Sequence, residues 1–171
     1  TILTMHGMLM EHPMSISRLK KRLYLPLIGK RTLGNVDVVQ MLNSEESRQS
    51  RLVGVDFPYV ELPNGVDASQ FAALPEPGAY RSTEPGLADK TIILSMGRLH
   101  DIKGCDLLLG AFLDVAETRD DLALVMAGPD EGSLPQIMSM LEGHPARDRV
   151  RLPGLVHGDQ RLAMLADADI F

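Results

Sequence analysis

The sequence has no tryptophan, only 4% aromatic residues and a single cysteine among its 171 residues. One cysteine cannot form a disulfide within the chain, which suits a reducing compartment. No apolar run approaches the ~20 residues that a membrane-spanning helix needs, and no signal peptide is visible. The formal net charge is −6, so the surface is a poor match for nucleic acid. We therefore expect a cytoplasmic protein that does not bind nucleic acid.

The second half of the sequence alternates regularly between strand and helix patterns. Short apolar runs predict buried strands at residues 91–96, 122–127 and 149–153. An amphipathic pattern predicts a helix over residues 105–118, and Ser133 and Asp159 are the expected N-caps of two further helices. Repeated strand–helix units predict a parallel sheet in an α/β fold.

The first half is less regular. Strand patterns occupy residues 1–5, 36–42 and 57–62. A helical pattern covers residues 15–35, with Ser15 or Ser17 as its cap and with Pro26 expected to kink or split it. Asn43 or Ser44 is expected to cap a second helix over residues 45–53.

A turn-rich segment divides the two halves. Residues 63–67, with the sequence PNGVD, form a strong turn signal. The stretch at 75–86, rich in proline and glycine, is the best candidate for a linker. We place the domain boundary between residues 63 and 64.

The predicted strands of the second half each end in a glycine: Gly97, Gly128 and Gly154. Ligands of open parallel sheets bind outside the carboxyl ends of the strands, where glycine lets the backbone come close to them. The first of these loops also carries Arg98 and Lys103 and leads into a helix N-terminus, which favours anions. This combination indicates a phosphate or diphosphate pocket. A solvated loop with two surface cations is the alternative.

Cations cluster in the first predicted helix. Residues 18–31 hold six of the 17 cations and no acid: Arg18, Lys20, Lys21, Arg22, Lys30 and Arg31. This asymmetry indicates peripheral contact with an anionic membrane or an anionic acceptor. A solvated helix face is the alternative.

Taken in order, several segments resemble glycosyltransferase family 4. They are HGML, the basic helix, NSEE, PNGVD, SMGRLHDIKGCDLLLGAF, LVMAGPDEGS, VRLPGLV and LADADIF. The similarity runs through nearly the whole chain. It implies a retaining enzyme of the GT-B fold, with two doubly wound Rossmann-like domains facing each other across a cleft. Residues 1–63 would then belong to the acceptor-side domain and residues 64–171 to the nucleotide-sugar donor domain.

The resemblance also assigns roles to residues. Arg98 and Lys103 correspond to the family's cations on the donor diphosphate, and Gly97 to the point where the backbone nears the phosphates. Around the donor base, the expected wall residues are Gly128, Gly154, Leu155 and Val156. His6 and Gly7 match a loop on the acceptor or sugar side. The implied acceptor is a glycan, polysaccharide or lipid-linked.

One motif that the resemblance implies would come after the last residue of this chain. The family's acidic donor motif has two glutamates eight positions apart and follows a segment like residues 162–171. We therefore expect residues 1–171 to be an internal fragment that is inactive alone. A GT-B phosphorylase, a nucleotide-sugar epimerase and a non-catalytic nucleotide-sugar-binding module remain alternatives.

Neither Asp167-Ala168-Asp169 nor Cys105 is expected to act in catalysis. The first has the Asp-X-Asp form of metal-dependent glycosyltransferases, but the pattern is short and straddles a helix end. We expect no metal and no cofactor besides the donor substrate. The thiol of Cys105 begins a helix without a histidine-containing motif around it, so we expect a structural role.

Overall fold

The computed structural model describes residues 1–51, 54 and 56–171, and these divide into two compact units. Unit 1 is Thr1–Asp67 and unit 2 is Ala68–Phe171. The division lies four residues beyond the boundary predicted from the turn signal. Which unit serves the acceptor and which the donor stays a prediction.

Unit 1 is built on a parallel three-stranded sheet. Its strands lie in the order β1 (Ile2–Thr4), β2 (Val38–Met41) and β3 (Tyr59–Glu61). Its helices are α1 (Glu11–Ser15), α2 (Arg18–Tyr24), α3 (Lys30–Gly34) and α4 (Ser44–Ser50), with a π-helical segment Leu25–Gly29 between α2 and α3. Within the described residues, no helix of either unit is long and apolar enough to cross a membrane.

The helices of unit 1 differ from the prediction at Pro26 and at two of the predicted caps. Pro26 lies in the π-helical segment, so the helical path continues through it. Ser17 occupies the N-cap position of α2, but its side chain makes no capping hydrogen bond there. The Ser15 hydroxyl donates to the His12 carbonyl at 2.7 Å instead. At α4 the cap is Asn43, and the predicted end of that helix at Val53 lies outside the described residues.

Unit 2 is built on a second parallel sheet with strand order β4-β5-β6. The strands are β4 (Thr91–Met96), β5 (Leu122–Ala127) and β6 (Val150–Gly154), and the helices are α5 (Cys105–Ala116), α6 (Leu134–Leu141) and α7 (Gly158–Asp167). Strands β4 and β5 have the bounds that the sequence predicts. Ile170 pairs in parallel with Ile93 on the other side of β4. The chain therefore reverses its strand order at β4, and such a switch point is where open α/β sheets bind ligands.

The proline- and glycine-rich stretch at 75–86 is part of unit 2 and does not form a linker. Tyr80 is 3% exposed and Leu87 is fully buried, and both pack in one apolar cluster with Ile92 and Met164. Burial raises the pKa of the Tyr80 phenol to about 12. A stretch without periodicity is thus fixed by tertiary packing.

Candidate functional site

The three glycines predicted at the carboxyl edge of the second sheet lie side by side. The Gly97 amide donates to the Ala127 carbonyl at 2.9 Å, and the Gly128 amide donates to the Gly154 carbonyl at 2.8 Å. The structure thus brings the three strand ends together in one row.

Gly128 is required by the close approach of two backbones. A Cβ at this position would lie 1.8 Å from the Gly97 carbonyl oxygen and 2.6 Å from the Gly97 carbonyl carbon. Gly128 is itself buried. The absence of a side chain at Gly128 therefore allows the backbone of the loop after β4 to contact the backbone of the loop after β5. Gly97 differs, since a Cβ there would meet open space.

The backbone around Arg98 is held on both sides. After Gly97, the Leu99 amide donates to the Pro129 carbonyl at 2.8 Å, and the Leu99 carbonyl accepts from Glu131 and Ser133. The Leu99 side chain is 4% exposed and packs in the core with Cys105. This burial agrees with the structural role expected for the cysteine.

The Arg98 side chain projects from this anchored backbone. It is 56% exposed, and its guanidinium lies 2.6 Å from a carboxylate oxygen of Glu131. Glu131 belongs to the loop after β5 and was not singled out from the sequence. The cation predicted to bind a diphosphate is thus paired with a carboxylate of the same unit.

Lys103 lies on a tight turn that enters helix α5. The His100 imidazole Nδ1 accepts from the Ile102 amide at 3.2 Å and caps a 3₁₀ turn over Asp101–Lys103. Gly104 follows in the left-handed conformation, with φ of +64°, and α5 begins at the next residue. Lys103 is exposed. Among the described residues, its ammonium makes no hydrogen bond or ion pair. The turn thus places this free cation at the start of a 12-residue helix.

The loop after β5 is shaped by Ser133, whose role differs from the predicted one, and by Asp130, which was not singled out from the sequence. Ser133 occupies the N-cap position of α6, but its hydroxyl donates to the Asp101 carboxylate at 3.0 Å. The Asp130 carboxylate accepts instead from the amides of Leu134 and Gly132, at 3.0 and 2.9 Å. These bonds hold the pKa of Asp130 below its usual value. Because Asp101 follows β4, the Ser133 bond ties the two loops together.

The predicted wall of the base pocket after β6 has one exposed and one partly buried side chain. Leu155 is 58% exposed. Val156 packs against the apolar cluster of Leu94 and Met164. Gly154 has a φ of +73°, which lets the chain turn out of β6. Asp159 lies in the first turn of α7, and His157 occupies the N-cap position predicted for it.

Both carboxylates of the Asp-Ala-Asp segment are bound to unit 2 itself. Asp167 is 6% exposed and accepts from the amides of Gly78, Tyr80 and Arg81 at 2.6 to 2.9 Å. Asp169 accepts from the Ile92 amide at 2.7 Å and from Arg81 at 2.6 Å, which lower its pKa. Across the described parts of the chain, no group of three or more His, Cys, Asp or Glu could hold a metal ion.

In unit 1, His6 and Gly7 form the centre of a tight turn after β1. The Met8 amide donates to the Met5 carbonyl at 3.1 Å, and both central residues have positive φ, +48° and +76°. The Gly7 amide donates to a carboxylate oxygen of Glu46, a buried side chain on α4. Glu46 was not singled out from the sequence, although Asn43 three residues earlier gives it the spacing of a capping box.

Comparison with protein families places the second half of the chain. Residues 81–171 match the model of the family described as Glycosyl transferases group 1. A curated relative from Saccharomyces cerevisiae, the phosphatidylinositol N-acetylglucosaminyltransferase GPI3 subunit, is 29% identical over 110 residues, which are 64% of this chain and 24% of the relative. A GDP-mannose-dependent alpha-(1-6)-phosphatidylinositol monomannoside mannosyltransferase from Mycolicibacterium smegmatis is 32% identical over 100 residues, 57% of this chain and 26% of the relative. The chain thus spans about a quarter of the length of these relatives.

Solved structures agree over nearly the whole chain. Anabaena HepE, in complex with UDP and glucose, has a TM-score of 0.76 at 17% identity, with 97% of this chain and 44% of HepE covered. WaaG, a glycosyltransferase involved in lipopolysaccharide biosynthesis, has a TM-score of 0.70 at 16% identity, with 98% of this chain and 48% of WaaG covered. The α/β class and the GT-B type of fold predicted from the sequence are therefore confirmed.

Proposed function

The chain belongs to the group 1 glycosyl transferases, and we propose that its protein transfers a sugar from a nucleoside diphosphate sugar bound at the carboxyl edge of the second sheet. The observation that carries this proposal is the row of Gly97, Gly128 and Gly154, with Arg98 and Lys103 beside it. The row leaves room at Gly97, where a Cβ would meet open space. Two cations and open backbone at a switch point fit a diphosphate.

Arg98 and Lys103 would stabilise the leaving group. Cleavage of the glycosidic bond leaves a nucleoside diphosphate whose negative charge grows in the transition state, and fixed cations lower the energy of that state. Arg98 would release Glu131 and take the diphosphate in its place. Lys103 makes no competing interaction in the described structure, and the amides at the start of α5 add partial positive charge. Gly128, Gly154, Leu155 and Val156 would form the wall for the base.

The relatives suggest a lipid-linked acceptor. Two curated relatives are named for phosphatidylinositol acceptors, and one of them for GDP-mannose as its donor. HepE is solved with UDP-glucose. In unit 1 an apolar cavity of about 220 Å³ lies beside the His6–Gly7 turn, with Met5, Met8 and Leu9 among its lining residues. This cavity suits an acyl chain, and His6 and Gly7 would face the sugar or acceptor.

The basic helix would bring unit 1 to an anionic membrane surface from the cytoplasmic side. Leu19, Leu23 and Leu27 follow one another at helical spacing and are 74%, 61% and 73% exposed. The six cations of residues 18–31 lie on the same segment, and five of them are exposed. A helix with exposed leucines among cations has the composition of an interfacial helix.

We propose the finer chemistry on the family 4 resemblance. Transfer would retain the configuration at the anomeric carbon and would need no metal. The acidic donor motif would come from residues other than 1–171, so these residues alone would not transfer sugar. Inverted product, or activity abolished by EDTA, would contradict the first two expectations.

The donor site is tested by substitution of its cations. UDP-glucose and GDP-mannose are assayed for transfer to phosphatidylinositol vesicles, with the full-length natural protein that carries this sequence. Arg98→Ala and Lys103→Ala should each lower the rate ~100- to 1,000-fold. Arg119→Ala is the matched control, because its side chain is also 56% exposed and paired with an acid, Asp121. Equal losses in Arg98→Ala and Arg119→Ala would refute the proposed site. Donor binding without transfer would favour a binding module.

The membrane contact is tested with vesicles of phosphatidylcholine and phosphatidylserine. Exchange of both Lys20 and Arg22 for glutamine should weaken binding by about 2 kcal/mol, roughly 30-fold, since each cation near an anionic surface contributes about 1 kcal/mol. The control exchanges the exposed Arg119 and Arg147 of unit 2 and removes the same charge. Equal weakening in both proteins would show that net charge alone drives the binding.

A further inference from the structure

We propose that Glu46 is a positioning residue, which fixes His6 for sugar transfer through the backbone of Gly7. The inference rests on the proposed function, since it needs His6 to act on the sugar or acceptor. It assigns a role to a carboxylate that neither the diphosphate site nor the base pocket uses.

Glu46 is 1% exposed, so its carboxylate has lost almost all contact with water. A buried carboxylate is unfavourable unless donors satisfy it. The donors are two amides from different elements. One carboxylate oxygen accepts from Gly7, in the turn after β1, and the other accepts from Leu42, at the end of β2, at 2.6 Å. Among the described residues, no cation pairs with Glu46, and the bond to Gly7 is a main source of its compensation.

The turn that Glu46 holds contains an unusual backbone conformation. His6 has a φ of +48°, which is uncommon for a residue with a Cβ, and Gly7 follows at +76°. Such strain persists where the surroundings over-determine it, and it concentrates at functional sites. The conformation leaves the His6 side chain exposed, while Leu9 of the same loop is buried. Glu46 thus fixes the backbone beside a histidine that stays accessible.

Helix capping does not explain the reach of Glu46. The amide of Glu46 already donates to the Asn43 side chain at 2.8 Å, which caps α4. In a capping box the glutamate bonds back to the amide of the cap residue itself. Here the carboxylate passes that amide and joins Leu42 to Gly7, 39 residues away in sequence. The carboxylate therefore links two strand ends at the turn that carries His6.

The same helix offers a matched control. The Gln49 side chain accepts from the Glu11 amide at 2.8 Å, so it holds the first residue of α1, beyond the turn and away from His6. Loss of this bond also removes a contact between α4 and the segment that follows β1. A purely structural role predicts similar consequences for Glu46 and Gln49, whereas a positioning role predicts a kinetic effect for Glu46 alone.

The test is a double-mutant cycle in the full-length natural protein that carries this sequence, assayed with UDP-glucose or GDP-mannose on phosphatidylinositol vesicles. The proteins are His6→Ala, Glu46→Gln, their combination and Gln49→Ala. Glu46→Gln keeps the shape but leaves one side-chain oxygen for two amide donors, so its NH₂ group meets the amide of Gly7 or of Leu42 and the link between the two strand ends is lost. Its kcat should fall by up to roughly 100-fold, as misplaced catalytic groups cause, with the donor KM near that of the unmodified protein. Added to Glu46→Gln, His6→Ala should lower kcat no further.

The outcomes separate the two proposals. Independent, multiplicative losses in the cycle, or a kcat loss in Gln49→Ala equal to that in Glu46→Gln, would overturn the positioning role while the proposed function stands. No effect of His6→Ala removes the role of His6 and the inference with it. If Glu46→Gln does not fold, Gly7→Ala disturbs the same turn from the other side, where the new Cβ meets the Met10 sulfur at 3.2 Å. It should then show the same kcat loss and the same insensitivity to His6→Ala.

Discussion

The two sheets have the same three-stranded parallel form but very different surroundings. Every residue of β5, the central strand of unit 2, is buried, and its side chains alternate between two apolar clusters. In β2, the central strand of unit 1, burial alternates, and the core around it has four buried side chains in the described residues: Leu9, Leu33, Val39 and Met41. Strand β3 is exposed throughout. Equal topology thus coexists with unequal cores.

The difference separates two kinds of site. In unit 2 the loops that we propose as the diphosphate site follow a sheet covered on both faces, so their backbone positions follow from packing and strand hydrogen bonds. Unit 1 leaves large apolar side chains exposed, including Leu19 and Leu27, and holds its His6 turn with a single buried carboxylate. The firm setting in unit 2 agrees with the proposed site for a diphosphate, and the sparser setting in unit 1 agrees with the proposed acceptor or membrane contact.

The largest expected contrast concerns glycine. Gly128→Ala should destabilise unit 2 by about 4 kcal/mol, because its Cβ would lie 1.8 Å from backbone that cannot move away. Gly7→Ala in unit 1 should cost about 1 kcal/mol, since its Cβ meets only the flexible Met10 side chain. Hydrogen exchange of β5 and β2 amides measures each unit separately. Similar losses of stability in Gly128→Ala and Gly7→Ala would contradict the proposed difference in rigidity between the two units.

A matched methionine pair compares the cores directly. Met126 on β5 is 1% exposed and Met41 on β2 is fully buried, so each alanine variant removes the same buried atoms. We expect Met126→Ala to lower the free energy of unfolding by about 3 kcal/mol and Met41→Ala to lower it by about 2 kcal/mol. The second loss is smaller because a sparse core relaxes more readily around a cavity. The same exchange experiment reports both values. A larger cost for Met41→Ala would reverse the comparison.

The smallest expected effect is a difference in acid sensitivity. The pKa of Asp169 is lowered by the Ile92 amide and Arg81, so its stabilisation is present above about pH 4 and is lost as the pH falls through the lower, folded value. Asp169→Asn should cost unit 2 under about 1 kcal/mol at pH 7, because the carboxylate is 46% exposed, and should leave a shallower acid transition.

An exposed carboxylate of unit 1 provides the comparison for Asp169. The Arg48 and Gln49 side chains lower the pKa of Glu45 to about 2, but they are exposed side chains, whereas Asp169 is held by the backbone amide of Ile92. Glu45→Gln should therefore change the acid transition of unit 1 less than Asp169→Asn changes that of unit 2. Urea titrations at a series of pH values measure both variants. A steeper acid transition in Asp169→Asn would contradict the linkage.

Local signals were enough for the framework of unit 2. Strands β4 and β5 are six-residue, mainly apolar runs, and each ends directly before a glycine. Their bounds were therefore predictable from the local sequence alone. The row of Gly97, Gly128 and Gly154 was predictable because the carboxyl ends of parallel strands lie at the same edge of a sheet. Helix α5 ends two residues earlier than the periodicity suggests, because helix ends depend on their surroundings.

The missed features all depend on partners distant in sequence. Glu131 meets Arg98 across 33 residues, and Glu46 meets Gly7 across 39. The Ser133 hydroxyl donates to Asp101 in the loop after β4 and so does not cap α6. The sequence of α6 alone does not indicate this bond. The stretch at 75–86 resembled a linker because Asp167, which gathers its amides, lies almost 90 residues later. Composition and periodicity carry no record of such pairings.

The anchoring of Leu99 has a consequence for variation of the site. Gly97 and Leu99 are both bonded to the neighbouring strand end, so the Cα of Arg98 lies between two fixed points. In the part of the chain that the structure describes, the turn at 101–103 is attached to the loop after β5 only through the Asp101 carboxylate. A library that randomises Ile102 and Lys103 would therefore vary the second cation while the first keeps its position. For protein engineers, this loop therefore has a fixed part, the backbone around Arg98, and a part that can be varied, the turn at 101–103.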